Sequence, residues 1–231
     1  MTPGRRLGIV TGLPAEARAA RGGNNEDVRI VCAAASATRA ETLARSLVEG
    51  GAAGLLSFGT AGGLRPGFSA GTVVVASGIV GPAGDVFEID RDWTARLGAE
   101  LASGLDTVSA PVAGTESPVA GVAAKAALAG ASGAAAVDME SHAVARIAAG
   151  AGLPVAAVRV IADPAERPLP PSLLSALSPE GGPRAGRLLM ESLRRPEDLP
   201  ASIRLARDYR RALRALRGVA VLGEFRFGFF A

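Results

Sequence analysis

Along most of the chain, short runs of β-branched and other apolar residues alternate with alanine-rich stretches broken by glycine or proline. Leu7 to Thr11, Arg29 to Ala35, Gly54 to Phe58, Thr72 to Ser77, Thr107 to Val112, Ala134 to Val137 and Val155 to Ile161 have the composition of strands. Arg39 to Glu49, Thr94 to Leu101, Val119 to Leu128 and Ser141 to Ala149 carry helix formers between stop signals. The strand segments are apolar almost throughout, as in a sheet covered by helices on both faces. This rhythm predicts one doubly wound or barrel-like α/β domain. Ligands of such sheets bind beyond the carboxyl ends of the strands, which directs attention to the loops after Thr11, Phe58, Val112, Val137 and Ile161.

Beyond Pro164 the texture changes. Pro168, Pro170 and Pro171 mark a turn-rich connection, and Pro183 to Arg195 and Pro200 to Arg217 read as two helices with no strand between them. Residues 165–231 are therefore expected as a helical, basic appendage to a single domain spanning residues 1–231. In the second of these helices Ile203, Leu205, Ala206, Tyr209, Leu213 and Leu216 fall mostly on one side, while arginines from Arg204 to Arg217 crowd around the single acid Asp208. A surface helix packed on its own domain explains the pattern. Because Phe225, Phe227, Phe229 and Phe230 follow, peripheral contact with a membrane surface or a lipidic substrate is a second reading.

With 48% hydrophobic residues in 231, the chain can build a sizeable core without a disulfide or metal staple. Its single cysteine, Cys32, lies in an apolar run and is expected as a small core residue, in keeping with a reducing cytoplasm. A charged-then-apolar leader and an apolar run of about 18 residues are both missing, so a soluble or peripheral protein is expected. The net charge is +3, and Lys125 is the only lysine among 25 basic residues. Nucleic-acid binding is disfavoured, because the arginines lack interleaved aromatics and acids nearly balance them outside the tail.

Four stretches carry candidate chemistry. The glycine-rich Phe58-Gly59-Thr60-Ala61-Gly62-Gly63-Leu64 follows a strand and could bring backbone N–H groups close to a phosphate, ribose or base; it could equally be a tight turn. It matches neither the dinucleotide nor the Walker pattern. Ala136-Val137-Asp138-Met139-Glu140-Ser141-His142 places two carboxylates where a buried strand turns into a helix. Asp138 has a plain explanation as a helix cap, and His142 as a packing residue, whereas a carboxylate at Glu140 can accept two hydrogen bonds from vicinal sugar hydroxyls. Val158 to Pro164 is an apolar strand delivering Asp163 at its carboxyl end, where a turn-forming Asp before Pro is the simpler reading. Gly12-Leu13-Pro14-Ala15 leads to Glu16 at the start of a helix, a site where any acid favours the helix dipole.

Taken together, the four stretches resemble in order and spacing, over residues 7 to 165, the nucleoside phosphorylase and nucleosidase superfamily, whose members cleave purine nucleosides with phosphate or water. Within it, TGLPAEAR, SFGTAGGL, AVDMESHAVARIA and VRVIADPAERPLPP, with Leu169-Pro170-Pro171 and the arginine-rich tail, look most like the hopanoid-associated phosphorylases, which cleave adenosylhopane. The resemblance implies an α/β three-layer fold with a central mixed sheet covered by helices. It also implies cleavage of the N-glycosidic bond of an adenine nucleoside, a small lipidic one, leaving adenine and a ribosyl or phosphoribosyl hopanoid. It calls for no metal or organic cofactor, with phosphate as co-substrate in the phosphorolytic branch. A homo-oligomer in the cytoplasm or at the inner membrane surface is expected.

By the same resemblance, Asp163 is the acid that protonates purine N7, Glu140 binds the ribose hydroxyls, Met139 packs on the sugar, and Glu16 polarises the attacking water in the hydrolytic branch. Thr60, Ala61, Gly62 and Val119 fall at substrate-binding positions, and a phosphate would lie near Gly12, Thr60 and Arg39, with Arg18 as another candidate cation. Three positions depart from the pattern. Ala162 stands where hydrolytic relatives often carry a serine supporting the acid, Pro118 where an aromatic commonly stacks on the base, and Ser57 where some phosphorylases place an anion-binding arginine. A methylthioadenosine or adenosylhomocysteine nucleosidase would use the same carboxylates, and a noncatalytic nucleoside-binding protein is the alternative outside enzymes.

Overall fold

Eight strands form one sheet in the computed structural model, which describes residues 6–22, 26–176 and 195–230. They are β1 (Arg6–Thr11), β2 (Val28–Cys32), β3 (Ala52–Gly63), β4 (Val73–Val80), β5 (Val86–Phe87), β6 (Thr107–Gly114), β7 (Ala136–Asp138) and β8 (Val155–Asp163). The helices among the described residues are α1 (Pro14–Ala20), α2 (Ala37–Glu49), α3 (Arg91–Ala102), α4 (Val122–Ser132), α5 (Ser141–Ala151), α6 (Pro171–Ala176) and α7 (Leu199–Leu222). Of the first expected tail helix, Pro183 to Arg195, only Arg195 is among the described residues.

The sheet is mixed and partly closed. β3 pairs in parallel with β8, β8 antiparallel with β4, β4 in parallel with β6, β6 in parallel with β7, and β7 returns antiparallel to β3. A ring of five strands results, with β1 and then β2 added in parallel beside β3 and the short β5 on β4. An open doubly wound sheet is thus excluded. The difference comes from β3, whose first half pairs with β1 and whose last residues, Gly62 and Gly63, reach β7. Ending this strand at Phe58 reads its glycines as a turn. In the structure they continue the strand, and their missing side chains make room for acids: a Cβ on Gly59 would lie 2.8 Å from Glu16 Oε2 and one on Gly62 3.2 Å from Asp163 Oδ2.

Helices cover both faces, as continuous apolar strands require. On one face Ala40, Ala44 and Leu47 of α2 and Val144 and Ala148 of α5 meet Leu55, Ala157 and Ile161. On the other, Trp93 and Leu97 of α3 and Ala212, Leu216 and Val219 of α7 meet Leu56, Phe58 and Val158. Helix α7 and the residues that follow it thus pack into the core. Its aromatics turn inward: Phe227 and Phe229 are buried, the Phe227 ring meets Phe58 edge-on at 5.2 Å, and Trp93 Nε1 donates to the Phe227 carbonyl at 2.5 Å. Those two rings are not available to a membrane surface. The arginines of α7 stay exposed, and Arg217 donates to the Ala19 and Arg21 carbonyls and stacks on Phe225.

Smaller differences have local causes. Strand β2 stops at Cys32 because Ala34 and Ala35 take positive φ of 55° and 56°. Cys32, expected in the core, is half-buried, with Sγ 3.6 Å from the Gly12 carbonyl. Helix α4 starts at Val122, after Gly121, which frees Val119 for a loop. None of the helices among the described residues is long and apolar enough to cross a membrane.

Candidate active site

The carboxyl ends of β1, β3, β7 and β8 meet at a cavity of about 480 Å³. Asp163, Glu140 and Glu16 line it, as do Met139, Thr60, Ala61, Gly62, Val119 and Gly12, so of the residues singled out for the site the two candidate phosphate cations, Arg39 and Arg18, lie off it. Arg39 is exposed in the first turn of α2, where its amide caps onto Ser36 Oγ at 3.4 Å. Arg18 is likewise exposed on α1 and off the cavity. The far wall is α7, through Ser202, Leu205, Ala206 and Tyr209.

Glu16 is held by position in the chain. Pro14 starts α1 directly after β1, which turns the Glu16 side chain back under the strand end. Its Oε2 accepts from the Gly12 and Leu13 amides at 2.9 and 2.8 Å, and its Oε1 accepts from the Thr60 amide and hydroxyl at 2.9 and 2.7 Å. Four donors fill the four lone-pair positions of the carboxylate. A molecule in the cavity reaches Glu16 by displacing one of them or through the Thr60 hydroxyl. Burial raises the Glu16 carboxyl above its ordinary range, opposed chiefly by the Thr60 hydroxyl.

Glu140 sits at the N-cap of α5, with its carboxylate against bare backbone: a Cβ on Gly12 would lie 2.8 Å from its Oε1. Burial pushes this carboxyl up to about 8, with repulsion from Asp138 and Glu16 adding to the rise and Arg159 opposing it. Asp138 does cap the helix start, and does more. Its Oδ1 accepts from the Glu140 and Ser141 amides at 3.0 and 2.9 Å and from Ser141 Oγ at 2.9 Å, while its Oδ2 pairs with Arg159 Nε. Both side chains of this pair are buried. Arg159 also donates to Ser57 Oγ at 2.5 Å, so Ser57 faces the ion pair and not the cavity.

Asp163 ends β8 and is gripped from behind. Lys125 Nζ donates to Asp163 Oδ2 at 2.6 Å and to the Pro164 and Arg167 carbonyls at 3.0 Å each. Burial raises the Asp163 carboxyl to about 6 against the pull of the Lys125 ammonium, with Asp208 adding repulsion. Lys125 is thus the side chain that holds Asp163 Oδ2, while the neighbouring Ala162 offers it no hydrogen bond. His142 is buried behind the loop at 115–119, its Nε2 3.2 Å from Glu116 Oε1 and its Nδ1 without a partner among the described residues.

Sequence reasoning assigned no role to Lys125 or to Arg159, and offered the apolar side of the last helix to a lipidic substrate only as a second reading. The one lysine in an arginine-rich chain was the available signal for the first, and a charge inside the apolar strand Val155–Asp163 for the second. The family model described as the phosphorylase superfamily matches residues 9–194. The chain belongs to the phosphorylase superfamily. No curated protein is similar to it in sequence. Among solved structures, a Helicobacter pylori 5′-methylthioadenosine/S-adenosylhomocysteine nucleosidase holding 5′-methylthioadenosine in its active site superposes with a TM-score of 0.66 at 17% identity, covering 94% of this chain and 98% of the other. The Campylobacter jejuni enzyme of the same name gives 0.63 at 18%, covering 71% and 88%. Futalosine hydrolase of Helicobacter pylori gives 0.61 at 19%, covering 69% and 88%. These likenesses establish the shared fold of a superfamily with phosphorylase and nucleosidase members.

Proposed function

We propose that the protein hydrolyses the N-glycosidic bond of an adenine nucleoside. The observation that carries this reading is the convergence on one cavity of an acid at the end of β8, Asp163, with Glu140 and Glu16, two of the three raised into the range where protonation at neutral pH is accessible. Leaving-group departure builds negative charge on the purine and positive charge on the ribose. Asp163 gives its proton to N7, Glu140 accepts from the ribose hydroxyls, and Met139 packs on the sugar. Water is captured beside Thr60 and Glu16.

Hydrolysis is favoured over phosphorolysis by charge. Four acidic side chains, Glu16, Asp138, Glu140 and Asp163, line the cavity and, among the described residues, no lysine or arginine does. Arg159 and Lys125 are committed to Asp138 and Asp163. A phosphate dianion there would find no cationic side chain to offset its burial. For the substrate we favour adenosylhopane, on the sequence resemblance and on the apolar Leu169, Leu205 and Ala206 beside the acid; the neighbours named for methylthioadenosine and adenosylhomocysteine support the small thioether nucleosides as the second reading.

Purified protein incubated with adenosylhopane and with methylthioadenosine, with and without phosphate, tests substrate and nucleophile together. Free adenine and an unphosphorylated ribosyl product in phosphate-free buffer are expected. Adenine released only with phosphate, together with a ribosyl 1-phosphate, would overturn the hydrolytic reading.

A further inference from the structure

Lys125 has no place in the scheme above, yet its surroundings are built for it. It is fully buried in the first turn of α4, and its three ammonium protons have three acceptors: Asp163 Oδ2, the Pro164 carbonyl and the Arg167 carbonyl. A buried ammonium is costly unless paired and fully hydrogen-bonded. This chain otherwise uses arginine for permanent positive charge, so a lone lysine buried here is no compositional habit. The guanidinium of arginine could not fit three acceptors converging on one nitrogen.

We propose that Lys125 is the positioning residue of the general acid: it fixes Asp163 Oδ2 and the loop behind it, turns Oδ1 to the substrate, and stabilises the carboxylate left when Asp163 gives up its proton. The proposal rests on the N-glycosidic reading. In that step the bond between C1′ and N9 breaks with its electron pair passing into the purine, the Asp163 proton moves to N7, and water adds to C1′ and loses a proton to solvent. Asp163 is left as the anion and is later reprotonated from solvent. Lys125 keeps all its protons throughout. An ammonium 2.6 Å from the forming anion lowers the energy of that state without reorganising.

The charges around Asp163 are few. Lys125 comes from α4; Asp208 comes from α7, where it is paired with Arg167; Glu166, exposed, accepts from the Gly67 amide at 2.9 Å; β3 presents only Gly62. Of these, only Lys125 touches the carboxyl and favours its ionised form. The same ammonium also ties Arg167 through its carbonyl, and Arg167 holds α7 through Asp208, so the grip extends to the far wall of the cavity.

The test is the pH dependence of adenine release by wild type, Lys125→Met, Lys125→Gln and Lys125→Arg, with the Asp163 carboxyl titrated in parallel by carbon NMR. Gln keeps a donor for the loop carbonyls if Met does not fold. Since the protonated carboxyl is the active form, kcat/KM falls as pH rises through its midpoint. In Met and Gln that alkaline limb should move up by about one unit or more, while the plateau below it falls about 10-fold or more. In Arg, which keeps the charge but not the convergent fit, the limb should fall between those of wild type and of Met and Gln. A limb and a carboxyl titration that stay in place in Met and Gln, whatever happens to the rate, would overturn the role of Lys125. Wild type that releases adenine from no nucleoside would instead overturn the N-glycosidic reading and, with it, the catalytic part of this one.

Discussion

Asp138→Asn isolates one interaction cleanly. The amide oxygen can still accept from the Glu140 and Ser141 amides and from Ser141 Oγ, so the start of α5 keeps its hydrogen bonds. The charge is lost, and the new NH2 faces Arg159 Nε, donor against donor. Arg159 is then a buried guanidinium whose remaining anions are Glu140 and Glu16. Breaking a buried pair from one side costs about 3–5 kcal/mol. For a chain of this size each kcal/mol shifts the melting temperature by about 2–4 °C, so a fall on the order of 10 °C is expected. Asp138→Ala should be worse still, since three hydrogen bonds of about 1 kcal/mol each go as well. Thermal and urea unfolding followed by circular dichroism at pH 7 measure both. If Asp138→Asn lies within about 0.5 kcal/mol of wild type, or if Ala is no worse than Asn, the ion pair does not hold the site together as argued.

Glu140→Gln should change the pH dependence of stability. The folded carboxyl titrates at about 8 and the unfolded one near 4.5, so the folded state binds the extra proton between those values, and its stabilisation is full below the lower value and lost as pH rises through the upper. Stability measured from pH 4.5 to 8 should therefore decline more in wild type than in Gln, and parallel curves would contradict the shift. Phe227→Ala should destabilise by about 3–5 kcal/mol, because Phe227 fills the space beside Phe58 and Trp93; a loss under about 1 kcal/mol would mean that the C-terminal turn is not part of the core.

The sheet was readable wherever apolar runs were continuous, and the ends of β1 and β8 drew attention to Glu16 and Asp163, which both line the cavity. What escaped was decided by contacts distant in sequence. The glycines of β3 look like a turn locally, and only the acids packed against them explain why a strand should lack side chains there. Lys125 and Asp163 are 38 residues apart, and no spacing rule links a helical lysine to a strand-end acid. Asp138 reads as a cap because capping is local, whereas its partner Arg159 is 21 residues away on another strand. The amphipathic pattern of α7 is the same whether the apolar side meets the core, a cavity or a lipid; tertiary packing assigns one part of that side to the core and another to the cavity.

The central claim is that Asp163 supplies the proton for glycosidic cleavage. Adenine release from adenosylhopane and from methylthioadenosine by Asp163→Asn, with folding checked by circular dichroism and nucleoside affinity by calorimetry, tests it most directly. The expected result is a fall in kcat of about 10²–10⁴-fold with affinity changed by much less. Adenine release at the wild-type rate would remove Asp163 from the chemistry and leave a nucleoside-binding cavity without a catalytic acid.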